Sequence, residues 1–178
     1  SVDDLCDLYY RSVGHNATML LNFPVDKNGL IHPVDSANAV NFHKKIQQEL
    51  AVDILKGVTP KVDSQQGKNG GKNITDGNYD TFWASKKVKG ASIEFQLGKA
   101  KQISRLMLQE HIPLGQRVKA FSVYYLQGKE WVKLDPNEET TTIGYKRILR
   151  FDEITTNGIR VVFDDAKGCP VINSVSAY

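Results

Sequence analysis

The chain has 178 residues, of which 40% are hydrophobic, 9% aromatic and 24% charged, a composition that suffices for a packed core and argues against disorder along the whole chain. Its 23 basic and 20 acidic residues leave a net charge of +3, and they are dispersed, so no strong field for nucleic acid or an anionic membrane is expected. No apolar run approaches the roughly 20 residues that span a bilayer, and the sequence opens at Ser1 without a signal peptide, as a mature or truncated chain would.

In chain order, Val2, Leu5, Leu8 and Tyr9 share one helical face, and Ser1 with Asp4 has the spacing of a capping box. A helix over 2–12 is predicted, ended by Gly14. Thr18 to Phe23 is a short, almost wholly apolar run, the pattern of a parallel strand covered on both faces. After the turn Asp26-Lys27-Asn28-Gly29, Asp35 or Ser36 is expected to cap a second helix with Ala39, Phe42, Ile46, Leu50 and Ile54 as its apolar stripe. Helix, buried strand and helix in this order resemble part of an α/β barrel.

Helical spacing stops at Gly57-Val58-Thr59-Pro60, which places a domain boundary between residues 1–57 and 58–178. The polar stretch Ser64 to Lys72 reads as a flexible loop. Its Gly67-Lys68-Asn69-Gly70-Gly71-Lys72 run fails the phosphate-loop pattern, because Asn73 stands where Ser or Thr is required. Beyond it, Ile93, Phe95 and Leu97 alternate with polar residues, as do Phe121, Val123 and Tyr125. Trp131 to Leu134, Ile148 to Phe151 and Ile159 to Phe163 are further strand candidates. Turns are expected at Gly128-Lys129, Pro136-Asn137, Asn157-Gly158 and Lys167-Gly168, so the fold class is mainly β, an antiparallel sandwich. Cys6 and Cys169 lie near opposite ends and read as free thiols, with one long-range disulfide as the alternative.

Two stretches carry family resemblances. Ser12-Val13-Gly14-His15-Asn16, then Leu20-Leu21-Asn22-Phe23-Pro24, then Asn28-Gly29-Leu30-Ile31, resemble the end of the family 29 α-L-fucosidase barrel over roughly residues 5–56, with Met19 replacing one leucine of that pattern. Asn73-Ile74-Thr75-Asp76-Gly77-Asn78-Tyr79-Asp80-Thr81-Phe82-Trp83-Ala84-Ser85 is similar to the opening motif of discoidin, or coagulation factor C-type, domains, a motif that family 32 carbohydrate-binding modules share. Leu108 to Ile112, Gly115 to Val118 and Thr142 to Leu149 resemble the version of this domain that follows fucosidase barrels. Together they imply a discoidin-like or jelly-roll-like β-sandwich preceded by a helix-strand-helix remnant of a (β/α)8 barrel, the C-terminal part of an α-L-fucosidase. A stand-alone carbohydrate-binding module and a non-binding domain that braces the barrel are the alternatives.

The family's retaining chemistry implies two carboxyl groups about 5 Å apart, and neither maps onto this sequence. Asp3, Asp4, Asp7, Asp26, Asp35, Glu49 and Asp53 fall on helix surfaces or turns, so the chain alone is expected to be inactive. His15 precedes the expected strand and reads as structural, whereas Asn22 and Pro24 at its C-terminal end could shape a sugar pocket. In the discoidin resemblance, Asn73, Asp76, Asn78 and Thr81 would hold calcium, with an acidic residue near the C terminus whose place is taken here by Ser174. An Asx-type turn at Asp76 explains the same residues without a metal.

For sugar binding, His111, Arg117, Tyr145 and Lys146 occupy glycine-bordered connections where a cluster could form. Trp83 reads as a core residue, and Arg147 and Arg150 as candidates for strand surfaces. The implied partners are fucosylated or galactose-containing glycans and the rest of the barrel, in a secreted, periplasmic or lysosomal setting. Asn16-Ala17-Thr18 and Asn73-Ile74-Thr75 are formal glycosylation sequons in segments expected to be ordered or buried. Residues 1–56 are expected to present apolar surface to neighbours.

Overall fold

The computed structural model describes all 178 residues. Two helices come first, α1 (Val2–Ser12) and α2 (Pro33–Glu49), followed by strands β1 (Lys61–Val62), β2 (Trp83–Ala84), β3 (Ala91–Glu110), β4 (Val118–Gln127), β5 (Glu130–Lys133), β6 (Arg147–Ala166) and β7 (Val171–Ala177). The capping box predicted for α1 is present, with the Asp4 amide donating to Ser1 Oγ at 3.3 Å. α2 starts earlier than predicted. Pro33 occupies its first turn, where the missing N–H costs nothing, and His32, not Asp35 or Ser36, caps it by accepting the Val34 amide on Nδ1 at 3.3 Å.

Residues 18–23 do not form the predicted buried strand. They join no ladder, and Leu20 is 92% exposed. A parallel strand leaves its backbone groups unsatisfied unless neighbours flank it, and this chain holds no other strand beside the segment; its flanks make only the isolated bridges His15 to Arg147 and Val25 to Ile31. Leu8, Leu20, Val25, Leu30, Ile31, Val34, Val40 and Val52 are all exposed, so the helical segment does present apolar surface. No helix is long and apolar enough to cross a membrane.

The β-region is one antiparallel sheet in the order β2-β7-β3-β6-β4-β5, with β1 on β3. β3 and β6 each run for 20 residues and pair along most of their length, with breaks in register between Gln96 and Lys101 and between Ile103 and Arg105. At those breaks the sheet folds over, and its inward residues, among them Trp83, Phe95, Leu106, Phe121, Phe163 and Ile172, merge into one core. Asn157-Gly158 is therefore no hairpin turn. It lies inside β6, where a Cβ on Gly158 would come within 3.0 Å of Leu126 and 3.1 Å of Trp131. The Ser64 to Lys72 stretch is likewise packed and not free: Gly71 starts a 3-10 turn, and a Cβ there would meet the Pro60 carbonyl at 2.8 Å. Trp83 is fully buried and donates its indole N–H to the Ser64 carbonyl at 2.8 Å, as its core reading requires. Cys6 and Cys169 are free thiols.

The sandwich also reaches back beyond the sequence boundary. Leu55 is fully buried in its core, and Asp53 accepts the Ala177 amide at 3.1 Å. Ile54, assigned by sequence to the α2 stripe, lies past the end of that helix and packs on the sandwich core instead, its amide bonding the Ala177 carbonyl at 2.9 Å. α1 docks through Tyr10, whose ring lies between the guanidinium groups of Arg105 (5.2 Å) and Arg150 (4.9 Å) and whose hydroxyl donates to Glu49. Arg150 also bonds Asp7 at 2.9 Å and Glu138.

At one end of the sandwich the buried carboxylate of Glu110 accepts the amides of Arg117 (2.7 Å), Val118 (2.9 Å) and Gly144 (2.8 Å). Burial pushes its carboxyl up, against the pull of those three amides. Two connections, β3–β4 and β5–β6, are thereby fastened to one side chain.

Glu110→Gln puts an NH2 against amides that need an acceptor and should cost about 2–4 kcal/mol in urea unfolding, whereas a loss below ~0.5 kcal/mol would show that the carboxylate fastens nothing. Tyr10→Ala should cost about 3 kcal/mol and release α1, while Tyr10→Phe should cost about 1 kcal/mol. Arg150 holds the Asp7 carboxyl below its ordinary value of 3.8, so this contact contributes above that pH and is lost as pH falls through the lower folded value. Nuclear magnetic resonance should show α1 loosening in acid before the sandwich does; simultaneous loss would contradict the docking.

Candidate functional site

The two connections fastened by Glu110, together with the loop before β2, carry an aromatic patch. His111 stacks on Phe82 with ring centres 4.4 Å apart and planes at 26°, Tyr79 lies 6.4 Å from His111, and Tyr145 lies 6.2 Å from Tyr79. His111 is nearly buried and its Nδ1 has no partner, whereas Tyr79 and Tyr145 are 44% and 51% exposed. Beside Tyr79 opens a hollow of about 200 Å³ lined by Ile74, Gly77, Asn78, Gln109, Asn173 and Ser174. It contains amides and a hydroxyl but no charged side chain. Exposed rings next to neutral hydrogen-bonding groups suit the two faces of a sugar, an apolar C–H face and a rim of hydroxyls.

Tyr145 also borders a second hollow, formed with Val13, Asn16, Ala17, Thr18 and Met19 of the helical segment. Its amide donates to Asn16 Oδ1 at 2.6 Å. The preceding Gly144 has φ +67°, and a Cβ there would lie 2.5 Å from Asn16 Nδ2, so only glycine permits this approach. The helical segment thus holds the turn that presents Tyr145.

Of the sugar-site candidates, the structure brings His111 and Tyr145 into one patch through Tyr79. Arg117 stands apart: its guanidinium donates to the carbonyls of Leu114 (3.3 and 3.2 Å) and Cys169 (2.9 Å), tying two loops together. Lys146 is half-buried and lines neither hollow, and burial lowers its ammonium pKa. His15 is exposed and bridges to Arg147, while Asn22 and Pro24 line a separate hollow with Leu5, Leu21 and Phe23 beside α2. Arg147, expected on a strand surface, is buried, with Nε on the Thr142 carbonyl at 2.8 Å. Both sequon asparagines are engaged, Asn16 with Tyr145 and Asn73 with the Phe82 carbonyl at 2.9 Å.

Sequence reasoning missed Tyr79, Phe82, Gln109 and Asn173. The first two lie inside the discoidin-like motif and could have been found as loop aromatics. Asn173 sits in β7, a strand that the sequence reading did not identify.

The expected calcium residues do share one loop. Asp76 Oδ1 accepts the Asn78 amide at 2.8 Å and Oδ2 the Thr81 hydroxyl at 2.7 Å; Thr81 Oγ also lies 3.0 Å from the Asn78 carbonyl. Ser174 lines the same hollow as Asn78. Calcium takes six to eight oxygens, usually with more than one carboxylate. Here a single carboxylate has both oxygens engaged within the loop, and the Asn78, Tyr79 and Thr81 carbonyls face the Asn173 amide nitrogen. The donor set does not fit calcium well.

Comparison with known proteins agrees with this architecture. Over 98% of its length the chain is 29% identical to an α-L-fucosidase 1 of Oryza sativa subsp. japonica, covering 34% of that protein; it spans about a third of the length of the curated relatives it matches. A structure described as an α-L-fucosidase from Bacteroides thetaiotaomicron matches the whole chain at 35% identity and TM-score 0.93, over 39% of its own length. The family 32 carbohydrate-binding module of C. perfringens NanJ, solved with galactose, shares the fold alone, at 17% identity and TM-score 0.59 over 68% of this chain and 93% of its own. The family model for the F5/8 type C domain matches residues 59–175, the span of the sandwich just described, and on that match the chain belongs to the F5/8 type C domain family.

Proposed function

We propose that the chain is the C-terminal part of an α-L-fucosidase, in which residues 1–57 complete the catalytic barrel and residues 58–178 form a glycan-binding sandwich. Support for the first half comes from the fucosidase relatives, which align with the helical segment as well as the sandwich, and from the exposed apolar residues of that segment, which suit packing against further barrel elements. The nucleophile and acid of fucoside hydrolysis would lie outside this chain. A secreted, periplasmic or lysosomal setting accords with glycan substrates.

The observation that carries the second half is the exposed Tyr79–Tyr145 pair beside an uncharged hollow. A neutral terminal sugar, fucose or galactose, would lay its C–H face on a tyrosine ring and direct hydroxyls to Gln109, Asn173 and Ser174. His111 would support the rings from beneath, and Arg117 would hold the loops. One observation favours a bracing role instead: the Tyr10 clamp between Arg105 and Arg150 fixes the helical segment to the sandwich without any glycan.

Titration of the chain with fucose, galactose and fucosylated glycans, followed by nuclear magnetic resonance, separates the two readings. Saturable shifts at Tyr79, Gln109 and Tyr145 are expected, and Tyr145→Ala should weaken binding about tenfold, or ~1.4 kcal/mol, without loss of stability. A folded chain silent across the panel would leave the bracing role. The chain alone should release no fucose from an aryl fucoside; measurable turnover would contradict the placement of the catalytic carboxylates elsewhere.

A further inference from the structure

The loop expected to hold calcium is closed by a side chain from the far end of the sequence. Asn173 Nδ2 lies 2.8 Å from the Tyr79 carbonyl, 2.7 Å from the Thr81 carbonyl and 3.4 Å from the Asn78 carbonyl. All three neighbours are acceptors, so in direct contact the NH2 group and not the amide oxygen faces them. Inward-pointing carbonyls of a short loop are what a hard cation gathers in such a site. Here they are gathered around the partial positive charge of an amide.

The fold explains how Asn173 gets there. β3 and β7 pair Gln109 with Ser174 but Glu110 with Ile172, so Asn173 is the extra residue of a β-bulge. A bulge turns its residue out of the strict alternation of the strand, and Asn173, only 5% exposed, is aimed across at the loop. The carboxylate of Asp76 is satisfied separately by the Asn78 amide and the Thr81 hydroxyl. Donors of the chain itself thus meet both the carbonyls and the carboxylate, the two kinds of oxygen that a cation would otherwise balance.

We propose that Asn173 takes the structural place of calcium in this domain, so that the loop carrying Tyr79 is preorganised without a metal. The residue beside it, Ser174, stands where the family resemblance calls for a carboxylate, and the pair Asn173-Ser174 then makes physical sense: a second carboxylate would be repelled by the loop carbonyls once no cation screened it.

Thermal unfolding of the full chain in excess chelator and in millimolar calcium tests this without reference to glycan binding. The melting temperature of the unaltered chain is expected to agree between the two within about 1 °C, because a ligand that does not bind the folded state cannot stabilise it. Asn173→Asp places a carboxylate against the carbonyls; it should melt lower in chelator and regain about 4 °C or more on addition of calcium. A saturable rise of several degrees in the unaltered chain would overturn the proposal. So would a folded N173D chain whose melting temperature calcium leaves unmoved, and if that variant does not fold under either condition the titration of the unaltered chain still decides.

Discussion

The Glu110 carboxylate is the constraint on which the functional end of this molecule depends. It is buried at the end of β3 and collects amides from two positions at the start of β4 and one before β6. Desolvating a carboxylate costs several kcal/mol, and bonds from three amides at about 1.5–3 kcal/mol each are of the size needed to offset it. The offset operates only while all three are in place. His111 follows Glu110 directly, Arg117 is one of its bonded residues, and Tyr145 follows Gly144, so the positions of these three residues depend on one internal acid.

The same end is fixed from two other directions. From the helical segment, Asn16 accepts the Tyr145 amide, while Tyr10 and Asp7 anchor α1 on Arg105 and Arg150. From β7, Asn173 holds the turn that presents Tyr79. Helical segment, sandwich strands and loop therefore converge on two tyrosines, and a sugar bound there would sit at a fixed position relative to the helical segment. A barrel continuing from that segment would carry the patch as a rigid attachment, which reconciles the bracing contacts with a binding role.

Most of the β-region was legible because period-two alternation reports burial on one face, and β3, β4 and β6 show it. The failures have separate physical causes. The run from Thr18 to Phe23 reads as a buried strand because its side chains are apolar, yet burial and pairing require partners that the run cannot supply for itself. β7 escaped because its bulge places Asn173, a polar residue, on the inside and interrupts the alternation. Gly158 suggested a turn, but glycine there answers to the close approach of Leu126 and Trp131. At the site, glycine-bordered connections singled out His111, Arg117, Tyr145 and Lys146; His111 and Tyr145 fall in the aromatic patch, whereas the Arg117 guanidinium is engaged by the Leu114 and Cys169 carbonyls. Gln109 and Asn173 could not be found by spacing, since only the β3–β7 register brings them beside Asn78.

Amide hydrogen exchange of the unliganded chain tests the central claim most directly. If Glu110 fastens the loop end, the amides of Arg117, Val118 and Gly144 exchange as slowly as those in the middle of β3 and β6, at the limit set by global unfolding. Exchange of these three at the rate of exposed loop amides would mean that the carboxylate does not hold them, and that it does not preorganise the connections carrying His111 and Tyr145.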